Sequence, residues 1–311
     1  MNNLSTENPL ISIIVNCRNS EKYISECIES VQNQTYGRFE LIIYDNFSND
    51  KTKFIVKNLA KNDVRIKYFR SECILSLGSA RNTAMTLCTG QMVAFLDSDD
   101  LWDKHKLEQQ VKNICSNENI GFCFATTVNF NNSMSLSKQR EISRKIAQHN
   151  FRDPQANFHF KRLLVSNYIG ISGLLFRKKL ISKVGNFSCE LEHAEDYDFI
   201  LRLALRSKGI RSGVVFYRFH ESNLSKSQFH ISYLETLLIL NKYSNFFNAQ
   251  IIKRMVIFRY LLGSIKKREY DIFCESFNFT VKFLINLFIG FHIHVFFSIK
   301  NKLSGSFFSL R

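Results

Sequence analysis

Three carboxylates stand within four positions at Asp97, Asp99 and Asp100, in the run AFLDSDDLW (residues 94–102). Gathered like charges repel one another and cost free energy. A divalent cation removes that repulsion, because hard cations take oxygen ligands. A solvated acid-rich turn also tolerates such a cluster, so the run alone leaves both readings open. Two further polar groups interrupt apolar runs in the same way: Asn16-Cys17-Arg18-Asn19 after ISIIV (11–15), and Asp45-Asn46 closing ELIIYD (40–45).

The elements that must carry these residues can be read from the spacing of apolar side chains. Met92–Leu96 is short, continuous and apolar, as a strand covered on both faces should be. ISIIV, ELIIYD and IKYF (66–69) read as further strands. Between them, Ile24, Cys27, Ile28 and Val31 recur at helical spacing with Ser20 as an N-cap candidate. Phe54, Ile55 and Leu59 predict a second helix, and SARNTAMTLC (79–88) a third that stops near Gly90. Alternation of this kind predicts βαβ units and a mostly parallel sheet covered by helices. Ligands of such sheets sit beyond the carboxyl ends of the strands. Residues 16–19, 45–46 and 97–100 all fall there, so polar groups from three strand ends converge on one rim.

Further along, residues 131–160 are polar and basic with weak periodicity and read as a long excursion. YIGISGLLFR (168–177) returns to strand character, and HAEDYDFILRLALRSKG (193–209) predicts a helix with an acidic entry. GVVFYRFH (213–220) predicts a closing strand. From 231 the composition changes: the tail holds 13 of the 30 phenylalanines, and its 11 Lys/Arg against four Asp/Glu supply +7 of the net +15. Its most apolar part, FLINLFIGFHIHVFFSI (283–299), is interrupted by Asn286, His292, His294 and Ser298. It is read first as a packed helix, next as a membrane-surface helix, and last as a span.

The 311 residues suffice for one large or two modest domains, and 45% hydrophobic with 22% charged residues is a globular composition. A net charge of +15 calls for an anionic partner: a nucleotide, nucleic acid or an anionic membrane face. Eight scattered cysteines without CxxC or metal-type spacing read as reduced residues, several in the core, of a cytoplasmic protein. The first residues, MNNLSTENPL, lack the basic and apolar regions of a signal peptide.

Taken in order, SIIVNCRNSEKYISECIESVQNQTY, FELIIYDNFSNDKT, GSARNTAM, AFLDSDDLW and EDYDFILRL resemble glycosyltransferase family 2. The resemblance covers about residues 10–222. It implies a GT-A fold, inverting transfer from a nucleotide-diphosphate sugar, and a Mn²⁺ or Mg²⁺ cofactor. It also implies a catalytic domain over 1–230, with a nucleotide-sugar half at about 10–102 and an acceptor and catalytic half at about 103–222. The region 231–311, read as a helical, aromatic and basic extension, gains nothing from the resemblance.

Residue by residue, the resemblance places Asp97-Ser98-Asp99 at the metal and donor, with Asp99 as the more direct ligand and Asp100 secondary. Asp45 and Asn46 stand where the family has two aspartates contacting the base. The amide at the second position presents a different donor pattern and leaves the base open, with a uridine nucleotide the first expectation. Asn16 belongs to the same donor rim. Arg18 replaces a common tyrosine and would reach the phosphates. Arg81 matches an arginine near the diphosphate, as a planar guanidinium suits, and His220 a histidine near the metal. Asp196 corresponds to the general base, with Glu195 beside it on the donor side; complementing the positive end of the following helix is the other reading of this pair.

Three other readings fit the residues less well, one of them an inactive family member serving as an assembly partner, against which the full set of acids speaks. A sugar nucleotidyltransferase should carry a glycine-rich phosphate loop, and IIVNCRNSEKY has no glycine. A basic nucleic-acid-binding protein should show a finger, helix-turn-helix or RNA-binding signature, and none is present, so nucleic acid is not expected as a partner. The acceptor expected from the resemblance, the aromatic basic tail and the cytosolic composition is a lipid-linked or growing surface polysaccharide such as lipopolysaccharide, capsule or O-antigen. Peripheral contact with the anionic inner face of the plasma membrane would accompany it.

Overall fold

In a computed structural model, described here for residues 8–131, 134–147, 158–220 and 229–243, the apolar runs of the first hundred residues form the expected alternation. The strands are β1 (Ile11–Cys17), β2 (Phe39–Asp45), β3 (Ile66–Arg70) and β4 (Met92–Phe95). The helices between them are α1 (Ile24–Gln32), α2 (Thr52–Ala60) and α3 (Leu77–Thr86). β1 and β2 are apolar along almost their whole length because helices cover both faces of the sheet. α1 buries Ile24, Cys27, Ile28 and Val31, the four residues whose spacing marked it.

Two helix starts differ from the sequence reading. Ser20 does not cap α1: its carbonyl accepts the Tyr23 and Ile24 N–H groups in a preceding turn, and its hydroxyl turns to Ser98. α3 begins two residues earlier than expected because Ser76 caps it, its hydroxyl accepting from the Ser79 N–H at 3.3 Å.

The second half continues with β5 (Leu101–Trp102), α4 (Lys106–Cys115), β6 (Ile120–Phe130), α5 (Leu136–Ala147) and α6 (Phe158–Val165). β7 (Leu174–Arg177), the short α7 (Ile181–Val184), α8 (Glu195–Arg206), β8 (Lys208–Arg218) and α9 (Phe229–Lys242) follow. The sequence reading assigned nothing to 106–130, where α4 and the long β6 stand, and α5 lies inside the stretch it read as an excursion. YIGISGLLFR yields only four strand residues, preceded by a 3-10 turn at Ile171–Gly173. α9 straddles the 230/231 boundary drawn from composition, and its Ile239 and Leu240 are buried. The apolar stretch 283–299, with its three readings, lies outside the described residues.

One sheet contains all eight strands in the order β3-β2-β1-β4-β7-β6-β8-β5. β3, β2, β1 and β4 run parallel, which aligns their carboxyl ends on one rim. β7 is antiparallel to both β4 and β6, β6 and β8 are parallel, and the two-residue β5 closes the edge antiparallel to β8. The mixed order places the end of β8 beside the segment that follows β4. An aromatic cluster then fixes α8 against the sheet: Phe95 of β4 meets Phe176 and Phe187, and Phe199 of α8 stacks on Phe187 at 4.2 Å. Such pairs contribute about 0.5–1.5 kcal/mol beyond their buried area. Among the described residues no helix is long and apolar enough to cross a membrane.

Candidate active site

The rim begins with β1. Asn16 has both side-chain polar atoms buried and unbonded among the described residues, an arrangement that costs free energy until a partner arrives. Arg18 is exposed on the loop beyond it. Asn19 takes a left-handed conformation at φ 50°, tolerated by its short polar side chain. Its N–H donates to Ser48 Oγ at 2.9 Å, and its Oδ1 accepts the Asn49 N–H at 3.0 Å. The loops after β1 and β2 are thereby tied together.

Asp45 is fully buried at the end of β2 and accepts from Tyr68 Oη at 2.5 Å and the Ser48 N–H at 2.8 Å. Asn46 uses both ends of its amide on one residue: Nδ2 donates to the Leu75 carbonyl and Oδ1 accepts the Leu75 N–H, each at 2.9 Å. It therefore pins the end of β2 to the segment before α3. The amide at this position is what that double bond needs, since a carboxylate could not donate to the carbonyl.

The acid cluster beyond β4 is held from three sides. Asp97 accepts from Arg81 Nη2 at 3.3 Å and from Ser172 Oγ at 3.1 Å. Ser98 Oγ meets Ser20 Oγ at 2.8 Å. Asp99 Oδ2 lies 2.9 Å from His220 Nε2, and the His220 ring packs on Tyr23. Asp100 is buried and caps no helix; its Oδ1 accepts the Arg218 N–H at 3.0 Å, joining the cluster to the end of β8. The Arg218 guanidinium donates to the Asp99 carbonyl at 2.8 Å and to Glu26 at 2.6 Å. It also stacks on Tyr23 and on Phe130, 4.6 Å from each ring centroid.

Burial, and then the charge of Asp97, raises the Asp99 carboxyl. Asp100 is raised by burial and by both neighbouring carboxylates.

Across the rim, Arg81 of α3 is buried and bridges two regions. One amine holds Asp97 and the other makes a short ion pair with Glu195 at the start of α8. Burial alone would depress the guanidinium, but the charges of Glu195, Asp97 and Asp196 outweigh it and raise it. α3 comes this close because of Gly78, where a Cβ would stand 2.2 Å from the Ser188 carbonyl oxygen. Glu195 is almost fully buried and committed to Arg81, while Asp196 remains partly exposed. Asp196 Oδ1 accepts the Tyr197 N–H at 2.6 Å. Burial raises Asp196, Arg81 opposes the rise, and Asp97 adds to it.

Sequence reasoning missed Ser172, Glu26, Tyr23 and Arg218. Only Arg218 left a signal, as a lone cation inside the apolar run of a buried strand.

The donor set fits a hard divalent cation of few protein ligands. Asp99 and His220 already face one another, while Arg81 and Ser172 engage Asp97. Among the described residues no three His, Cys, Asp or Glu side chains form a ready-made cage.

A parallel sheet with an acidic rim, extended by a mixed half that returns a helix of acids to the same rim, is the GT-A arrangement. The solved TarS of S. aureus, in complex with UDP-GlcNAc, is 22% identical, matches 76% of this chain and 66% of its own, and superposes with a TM-score of 0.61. A mannosyltransferase of Pyrobaculum calidifontis, in complex with GDP-Man and Mn²⁺, is 14% identical over 93% of this chain and 81% of its own, with a TM-score of 0.59. The profile of the family described as Glycosyl transferase family 2 matches residues 12–185. The Escherichia coli UDP-Glc:alpha-D-GlcNAc-diphosphoundecaprenol beta-1,3-glucosyltransferase WfgD is 31% identical over 266 residues, 84% of this chain and 96% of that protein. The chain belongs to glycosyltransferase family 2.

Proposed function

We propose that the protein transfers a sugar, with inversion, from a UDP-sugar to a lipid-linked saccharide during bacterial surface-polysaccharide synthesis. The observation that carries this reading is the Arg81 bridge, which sets Glu195-Asp196 opposite Asp97 and, through it, the Asp99–His220 pair. The similarity to WfgD, whose name specifies a UDP-glucose donor and a diphosphoundecaprenol-linked acceptor, supports the choice of substrates. TarS, solved with UDP-GlcNAc, supports the uridine donor.

Asp99 and His220, with Asp97 nearby, would hold Mn²⁺ or Mg²⁺, which when bound neutralises charge on the departing diphosphate. Arg81 and Arg18 add fixed positive charge beside that leaving group. Asn16 supplies an unpaired amide to the nucleotide. Asp45 and Asn46 shape the base pocket by holding its walls. Asp196 takes the proton of the acceptor hydroxyl as it attacks the anomeric carbon from the face opposite the diphosphate. Glu195, locked on Arg81, is not free for that role.

The test is a thermal-shift and transfer screen of UDP-, GDP- and TDP-sugars with Mn²⁺, with Mg²⁺ and with chelator. A UDP-sugar should stabilise the protein only with metal and should be transferred to an undecaprenyl-diphosphate saccharide. Full activity in chelator would remove the metal, and a preference for GDP-sugars would remove the uridine pocket.

For the tail, the dense phenylalanines and the Lys253-Arg254 and Lys266-Lys267-Arg268 clusters support peripheral binding to an anionic membrane. Cations near such a surface contribute about 1 kcal/mol each and are screened by salt. Co-sedimentation with anionic liposomes at low salt and release at high salt is expected, and absence of low-salt binding would refute it.

A further inference from the structure

α8 begins with the two acids at the centre of the site, yet its N-cap is Ala194, which has no side chain able to accept a hydrogen bond. The first N–H groups of a helix, and those of the turn leading into it, need acceptors from elsewhere. Those of the lead-in turn, Glu192 to Ala194, find one on α9. Glu235 Oε1 accepts the Glu192 N–H at 2.7 Å, and Oε2 accepts the N–H groups of His193 and Ala194, both at 2.9 Å. Three consecutive backbone donors thus close on one buried carboxylate, 41 to 43 positions further along the chain. Bonds of this charge-assisted kind are about twice as strong as neutral ones. A second tie lies at the far end of the same helix, where Lys242 Nζ stands 3.8 Å from Asp198.

We propose that Glu235 is a positioning residue for transfer, its carboxylate anchoring the turn that leads into α8 and so fixing the backbone from which Asp196 projects. The proposal rests on the reading of Asp196 as the base. Asp196 follows the clamped segment by two positions, and its carboxylate is otherwise braced only by the adjacent Tyr197 N–H among the described residues. A base displaced by about 1 Å can cost on the order of a hundredfold in rate. The donor site is built on β1, β2, α3 and the end of β4, none of which touches Glu235 in the bonds described above. α9, the last helix among the described residues, thereby becomes part of the chemistry of the site.

The experiment is a double-mutant cycle on the full chain with saturating UDP-sugar, using Glu235→Gln and Asp196→Asn. Glutamine keeps the shape but can present only one acceptor oxygen to the three donors. Glu235→Gln should lower kcat by 10- to 100-fold with the donor KM within twofold. In the Asp196→Asn background it should cost nothing further, because a positioning effect vanishes with the group positioned. Lys242→Met, which cuts the other tie, should leave kcat near that of the parent.

A full additional loss in the Asp196→Asn background, or a parallel change in kcat and donor KM, would make Glu235 merely structural and overturn the proposal. So would an unchanged kcat. An active Asp196→Asn variant would instead refute the base assignment itself, a different result. Should Glu235→Gln prove insoluble, Glu235→Asp, which keeps the charge and shortens the reach by one methylene, is read by the same cycle.

Discussion

The donor side and the base side of this site are held in different ways. On the donor side, β1, β2 and β4 end together because parallel strands in register must, and the loops beyond them are fastened by local hydrogen bonds such as those of Asn19 and Asn46. On the base side, the acids are held by charged side chains: Arg81 to Glu195, and Glu235 to the entry of α8. Backbone geometry places one half, and charged side chains from distant positions place the other. Substitutions on the two sides should therefore fail differently.

The largest expected effect is on chemistry. Asp196→Asn should cut transfer by about 10³-fold, within the range for loss of a general base, while calorimetry shows donor binding intact. Asp99→Ala should lose transfer to a similar extent but together with metal-dependent donor binding. If both variants lost the same function, the division between the two sides would be wrong.

Next comes Arg81→Met, which leaves Glu195 buried and unpaired. Removing one partner of a buried pair typically costs about 3–5 kcal/mol, so the urea midpoint should fall sharply. Arg81→Lys should recover little, because one ammonium lacks the planar fork that serves Asp97 and Glu195 together. On the donor side the exposed Arg18→Ala should leave stability within about 0.5 kcal/mol and weaken donor binding only.

The pH dependence sharpens the same contrast. Asp196 is raised by burial, against Arg81 and with Asp97. On the proposed assignment transfer needs Asp196 ionised, so its acid limb should lie above the ordinary aspartate value of about 3.9 and rise tenfold per pH unit below the plateau. Asp99 is raised as well. The folded protein therefore keeps protons that the unfolded chain releases, and stability without metal should fall as pH increases from the ordinary carboxylate range through the raised values. Mn²⁺ should flatten that slope, as thermal melts across pH would show.

A modest effect on transfer is expected of Asn46→Ala. Losing both bonds to Leu75 should cost about 1–3 kcal/mol at around 1 kcal/mol per hydrogen bond, with transfer of the cognate sugar reduced less than tenfold.

This contrast also decides what was legible in the sequence. Strands at 11–15, 40–45, 66–69 and 92–96 could be read because doubly covered strands are continuous apolar runs, and α1 because its four buried residues keep helical spacing. The acid cluster was legible as a chemical anomaly at a strand end. β6 was missed although its first six residues are buried, since outer residues such as Thr126 and Asn129 break the run. The roles of Ser172 and Glu235 were invisible, because each is defined by a partner 41 to 75 positions away, and nothing local distinguishes such a serine or glutamate. For Asp45 and Asn46 the sequence identified the place, while their present hydrogen bonds depend on the conformation of residues 48, 68 and 75.

The pairing of Arg218 with Asp100 has a consequence for the life of the nascent chain. These residues lie 118 positions apart, and among the described residues β5, directly after the acids, has β8 as its one neighbour in the sheet. Translation at about 5–20 residues per second leaves the three aspartates without that neighbour for on the order of ten seconds after they are made. The first hundred residues can assemble their parallel strands in that interval, but the acid cluster must wait for β8, the last strand among the described residues. A growing chain therefore has its scaffold before the acid cluster has its partners Arg218 and His220.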